Sequence, residues 1–419
     1  MRLFRRAPVA LWVLLLAAST ASAAPERVAY ALILANNSSL DPKQAPLRYA
    51  DDDGARYYEL FAPRTREAVL LSVLDAETQE LHPGLAAQTR PPTRAALREA
   101  LARLNARMDE DRARGESPVL YFVFTGHGKR GPAGEGTVNL LDGSFTRTDL
   151  YEQVIAPTRA SFLHLIVDAC DSYFLVNSRG VLPVGPTQAQ AVKGVLSTRE
   201  LSRYPHVGAV LSTTREQESH EWSAIRSGVF SHQVRSALAG AADVNADGRV
   251  EYSELRAFVA AASQGVEDVR GRLEVSIHPP ALDRSAALMD LGDKARLGFL
   301  LLPMGLEGRL WVEDARGLRV AELHKERERS VVLGLPPGRG YFLRGLGREA
   351  SFPLGTEGAV VDAGSLSWRT RTLASRGAVE AAFEHKLFSV PFGPHFYNGY
   401  MASLGQAPVA PEQEPDLSP

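Results

Sequence analysis

The sequence has one cysteine, Cys170, among 419 residues. A single thiol excludes an internal disulfide framework and any zinc or iron–sulfur centre built on several thiolates. Charge of one sign is lacking too: 47 Lys and Arg face 49 Asp and Glu, so no overall field selects nucleic acid or an acidic membrane as partner. Beyond the first two dozen residues no apolar run is longer than a strand, which excludes a later membrane-spanning helix. Internal repeats are absent. What is present is ordinary globular composition, 45% hydrophobic and 23% charged, on a chain long enough for two or three domains of roughly 150 residues each.

The first residues read as targeting. Arg2, Arg5 and Arg6 precede an apolar stretch at 9–18, and Ala21-Ser22-Ala23 supplies small residues for cleavage before Ala24. This is the pattern of a signal peptide over 1–23, and it predicts an exported protein, periplasmic or secreted. Cys170 is then a lone thiol in a compartment where cysteines usually pair, which points to retention for its chemistry.

From residue 27 to about 261 the pattern alternates strand-like and helix-like segments. Apolar runs at 28–34, 68–74, 119–124, 162–167 and 207–211 read as strands, and 47–61, a stretch opening at Pro92 and Thr93, and 228–238 read as helices. The runs are apolar on both alternating faces, as in parallel strands covered by helices on each side. The expected fold is therefore α/β over 24–290. After about 297 short strands and turn signals predict a small all-β, sandwich-like domain over 296–370. Residues 371–419 read as a tail, disordered in part, with Pro408, Pro411, Pro415 and Pro419 near its end.

Two of the apolar strands end in reactive residues. The first runs through Phe124 and Thr125 into Gly126-His127-Gly128, the second through Ile166 and Val167 into Asp168-Ala169-Cys170-Asp171. In α/β sheets reactive groups gather at the carboxyl ends of strands. The separation of 43 positions from His127 to Cys170 suffices for one hairpin and one crossover helix, so the two strands can be neighbours. An imidazole beside a thiol takes its proton and leaves a nucleophilic thiolate. The N–H groups of Gly128 and Cys170 would form an oxyanion hole, a device that contributes roughly 3 kcal/mol per donor.

These segments resemble the caspase-like cysteine peptidases, specifically their metacaspase-like bacterial branch. The resemblance covers about residues 27–261. It rests on Leu47-Arg48-Tyr49-Ala50-Asp51-Asp52-Asp53-Gly54, Thr125-Gly126-His127-Gly128, Asp168-Ala169-Cys170-Asp171-Ser172 and Gly228-Val229-Phe230-Ser231-His232. It implies a caspase-like sheet and endopeptidase activity, with His127 as general acid/base and Cys170 as nucleophile. It also implies that Asp168 and Asp53 line a substrate pocket for Arg or Lys. Asp171 departs from the family pattern, which has His after the nucleophile, and an inward-facing acid there would oppose thiol activation.

A twelve-position loop over 243–254 follows the last core helix. Asp243, Asn245, Asp247, the Arg249 carbonyl and Glu254 occupy positions 1, 3, 5, 7 and 12, with Gly248 at the sharp turn. This is the spacing of an EF-hand, and it predicts Ca2+ in a structural or activating role. A long turn-rich stretch after Cys170 holds Arg179, Lys193, Arg199 and Arg203, candidate autoprocessing points if the enzyme cuts after basic residues. Substrate would be protein or peptide. Two rival expectations stand beside the enzyme: a catalytically silent caspase-like scaffold, and a calcium-dependent surface module.

Overall fold

A computed structural model of the chain describes residues 25–131, 134–177, 201–212, 221–266, 273, 275–292, 296–371 and 386–406. The expected signal peptide, and Arg179, Lys193 and Arg199, lie outside them.

In chain order, β1 (Arg27–Asn36), α1 (Ala50–Phe61), β2 (Glu67–Ser72), α2 (Arg94–Ala113) and β3 (Ser117–Gly126) come first. A small three-stranded sheet follows, of β4 (Gly128–Arg130), β5 (Gly136–Leu140) and β6 (Gly143–Thr146). Then come β7 (Phe162–Asp168), β8 (Val207–Ser212), α3 (Val229–Ser236), α4 (Tyr252–Ser263) and β9 (Val275–His278). The central sheet has the order β9-β8-β7-β3-β1-β2. All its neighbours are parallel except β9, which runs antiparallel to β8.

The unbroken apolar runs have a simple cause. On β3, Val119, Tyr121 and Val123 enter one core while Leu120, Phe122 and Phe124 enter another, so both faces must be apolar. One face is covered by α2, whose Leu97, Leu101, Leu104 and Met108 are buried. Its start is fixed by the Thr93 hydroxyl, which accepts from the Ala96 N–H at 3.2 Å. The other face is covered by α1, α3 and α4.

The all-β region holds two sheets. One is three-stranded, with Gly298–Leu302 between Val331–Leu335 and Val360–Asp362. The other has five antiparallel strands, among them Gly308–Asp314, Arg319–Lys325, Arg339–Gly345 and Arg348–Leu354. Strand Arg319–Lys325 packs on α3. The same apolar cluster runs from α1 and the central sheet through α3 and α4 into both of these sheets.

Part of the expected tail belongs to this core. Residues 386–406 carry a helix, α5 (Pro394–Ser403), which packs on α4. Phe388, Phe392, Tyr397 and Met401 there are buried, an apolar set that the proline-rich composition further on conceals.

Candidate functional site

β3 and β7 are hydrogen-bonded neighbours with Thr125 opposite Asp168, so His127 and Cys170 each lie two residues beyond the end of this register. The intervening segment makes the β4–β6 sheet and a helical stretch over 147–155. A Cβ at Gly128 would overlap the Cys170 carbonyl oxygen, so glycine is needed for the two segments to touch. The Asn139 N–H donates to the His127 carbonyl at 2.9 Å, which makes Gly128 and Val138 a non-hydrogen-bonded pair. The Gly128 N–H is thus not used by the hairpin.

His127 is buried, and its Nε2 lies 3.1 Å from the Ala45 carbonyl oxygen. A carbonyl only accepts, so Nε2 carries the proton and Nδ1 is left with a lone pair. Burial lowers the imidazole pKa, opposed in part by that hydrogen bond; the ring is therefore neutral and basic near pH 7. Cys170 is partly buried and is the only cysteine of the chain. Asp171, whose charge threatened the thiol, sits at φ 54° and is met by Arg130, Nε to Oδ1 at 3.3 Å.

The two carboxylates named from the sequence converge on one point. A Cβ at Gly228 would lie 2.9 Å from Asp168 Oδ2 and 3.1 Å from Asp53 Oδ2. Their surroundings differ. Asp53 Oδ1 accepts from Arg235 Nη1 at 2.7 Å and from the Ser227 hydroxyl, while Oδ2 accepts from the Gly228 N–H at 2.8 Å. Its charge is already met. Asp168 accepts from the Ser231 hydroxyl at 2.6 Å and forms no ion pair among the described residues. Burial, aided by the Asp53 charge, pushes its carboxyl up to about 7. Nothing in the sequence points to the Ala45 carbonyl or to Arg235. Ser231 lies in a stretch that carried the resemblance, but nothing singled out its hydroxyl.

The 243–254 loop turns on two left-handed residues. Ala246 and Gly248, positions 4 and 6, have φ of 56° and 75°, the left-handed region that favours glycine. Asp243 Oδ2 accepts from the Gly248 N–H at 3.0 Å, and Asp247 Oδ1 from the Arg249 N–H at 2.9 Å. Asp243 Oδ1 is buried with no hydrogen-bond partner. Glu254 faces the backbone, accepting from the Val244 and Glu251 N–H groups at 2.9 and 2.7 Å. Burial raises the carboxyls of Asp243 to about 6 and of Glu254 to about 8. Among the described residues no three His, Cys, Asp or Glu side chains are grouped closely enough to hold a metal ion. The orphaned Asp243 oxygen and the two left-handed turns fit a cation, provided that Glu254 turns inward.

His164, inside β7, bonds through Nδ1 to the Tyr252 hydroxyl at 2.6 Å, and burial lowers its pKa to about 3. It is a core residue. No helix among the described residues is long and apolar enough to cross a membrane.

Fold and site together define a mixed α/β protein with a mostly parallel central sheet, an all-β C-terminal region and a histidine and a cysteine at adjoining strand ends. No protein-family model matches the chain, and no curated protein matches it in sequence. Among solved structures it is similar to the protein GSU0716 from Geobacter sulfurreducens, at 16% identity and a TM-score of 0.35, over 64% of this chain and 99% of that one. It is also similar to pro-sf-caspase-1, at 10% identity and a TM-score of 0.32, over 65% of this chain and 94% of that one. Likenesses this distant add nothing to the geometry above.

Proposed function

We propose that the chain is a cysteine-type endopeptidase of caspase-like fold that cuts after basic residues. The observation that carries this reading is the His127–Ala45 hydrogen bond beside the Gly128–Cys170 contact. It leaves a neutral imidazole with an available Nδ1 at the strand end that adjoins the only thiol. In the reaction, His127 takes the Cys170 proton and the thiolate adds to the peptide carbonyl carbon, with the oxyanion on the Gly128 and Cys170 N–H groups. Protonated His127 gives its proton to the departing amine, leaving a thioester. Water, deprotonated by His127, cleaves the thioester and regenerates the thiol.

Preference for Arg or Lys is supported by Asp168, a half-buried carboxylate with no ion pair among the described residues, which a substrate cation would return to its charged form. Asp53 shapes the same pocket, but Arg235 already balances it. Calcium would be held by Asp243, Asn245, Asp247, the Arg249 carbonyl and Glu254, and would supply the positive charge that those buried carboxylates lack.

A peptide-library digestion with and without calcium, with Cys170→Ala as control, tests the reading. Cleavage after Arg and Lys that vanishes in Cys170→Ala is expected. Undiminished cleavage by Cys170→Ala would overturn it. So would an inert wild type whose thiol alkylates no faster than free cysteine near pH 7, the result expected of a silent scaffold.

A further inference from the structure

A cleft opens where α1, the helical turns after α3 and the C-terminal β region meet. Arg56, Arg235, Arg316, Arg319 and Arg339 line it, with Glu59 and Asp314 as its acidic residues. Four of the five guanidiniums have carboxylate partners. Arg235 holds Asp53 at 2.7 Å, Arg319 holds Glu322 at 2.8 Å, Arg316 joins Glu59 and Asp314 at 2.7 and 2.6 Å, and Arg339 reaches Glu59 at 3.3 Å.

Arg56 is different. It is only 7% exposed, and its one hydrogen bond runs from Nη1 to the Ile225 carbonyl at 2.7 Å. Its Nε and Nη2 are buried without any partner. Asp52, one turn earlier on the same helix, senses Arg56 electrostatically but uses its Oδ2 on the Thr78 hydroxyl. Asp53, Asp52 and Asp314 favour the Arg56 charge through space, but its Nε and Nη2 donors lie out of water without an acceptor, which is unfavourable, and their planar fork matches the edge of an oxyanion. The leucine, alanine, valine and proline side chains between the arginines would strengthen such a contact by excluding water.

We propose that this cleft binds a compact oxyanion of the phosphate class, held chiefly by Arg56 with Arg316 and Arg339 at its rim. Neither His127 nor Cys170 lines this cleft, and its occupancy does not depend on any peptidase activity.

The test is calorimetric titration and thermal melting of the full chain carrying Cys170→Ala, which also removes self-cleavage. Inorganic phosphate is the probe, with sodium chloride at equal ionic strength as reference. Phosphate should bind saturably and raise the melting temperature beyond chloride. Arg56→Gln should weaken that binding by about tenfold or more, the loss of a charge-assisted pair. Should Arg56→Gln fail to fold, Arg339→Gln serves, since its side chain is 40% exposed; it should weaken phosphate by roughly threefold. Titration with glycerol 3-phosphate separates the sources, tighter binding pointing to a phosphate ester and equal binding to the free ion. Phosphate behaving like chloride would overturn the proposal, as would affinities unchanged in the folded variants.

Discussion

The sheet end and the 243–254 loop both bring buried or half-buried carboxylates close together, and they balance the charge in different ways. At the sheet end the chain supplies its own cation, Arg235, to Asp53, and leaves Asp168 as the acid held near neutrality. In the loop Arg329 donates to the Asp243 carbonyl oxygen and favours the charged carboxylate from a distance, yet burial outweighs it: Asp243 and Glu254 keep raised pKa values and accept hydrogen bonds from backbone N–H groups. A site balanced internally is complete as it folds. A site left short of positive charge has room for a cation, and on the proposed reading that is a metal ion at the loop and a substrate side chain at the sheet end.

Removing the internal cation should have the largest effect. Arg235→Ala strands Asp53 in the interior, and an unpartnered buried charge costs about 3–5 kcal/mol; denaturant unfolding should show a loss of that size. Calcium should act on the loop alone. At a hundredfold excess over its dissociation constant it contributes about 2.7 kcal/mol, read as a rise in melting temperature that Asp243→Ala abolishes and Arg235 variants that still fold retain.

Asp168 gives a smaller effect with a definite sign. Because its folded pKa is raised to about 7, the folded chain holds more protons than the unfolded one between the ordinary carboxylate range and about 7. Its contribution to stability therefore falls as pH rises through that window. For the same reason the ratio of kcat/KM for Arg or Lys over an uncharged P1 residue should climb with pH through about 7, by up to about tenfold. Asp168→Asn should flatten the ratio. The smallest effect concerns Arg130, which is half exposed and offsets Asp171. Arg130→Ala should slow alkylation of Cys170 by less than about fivefold.

The sequence was legible where burial is two-sided and periodicity strong. The five apolar runs are β1, β2, β3, β7 and β8, and the helix opening at Thr93 is α2. It was silent where a segment depends on distant partners. Strand β9 is four residues long and exists through its pairing with β8, and α5 owes its place to Phe392 and Tyr397 docking in a core made elsewhere. The same limit applies at the site. His127, Cys170, Asp168 and Asp53 stand out as residue types in motifs. By contrast, the Ala45 oxygen is a backbone atom without a side-chain signature, and Arg235 resembles any surface arginine of an amphipathic helix until the fold encloses it.

The continuous apolar cluster has a consequence for how the protein ages. Helix α3 has the central sheet on one flank and the β region on the other, so the junction near residue 290 divides the polypeptide without dividing its interior. Nicking there would not release a smaller working unit. Both fragments would keep half of a common wall, and they would have to stay together or coagulate.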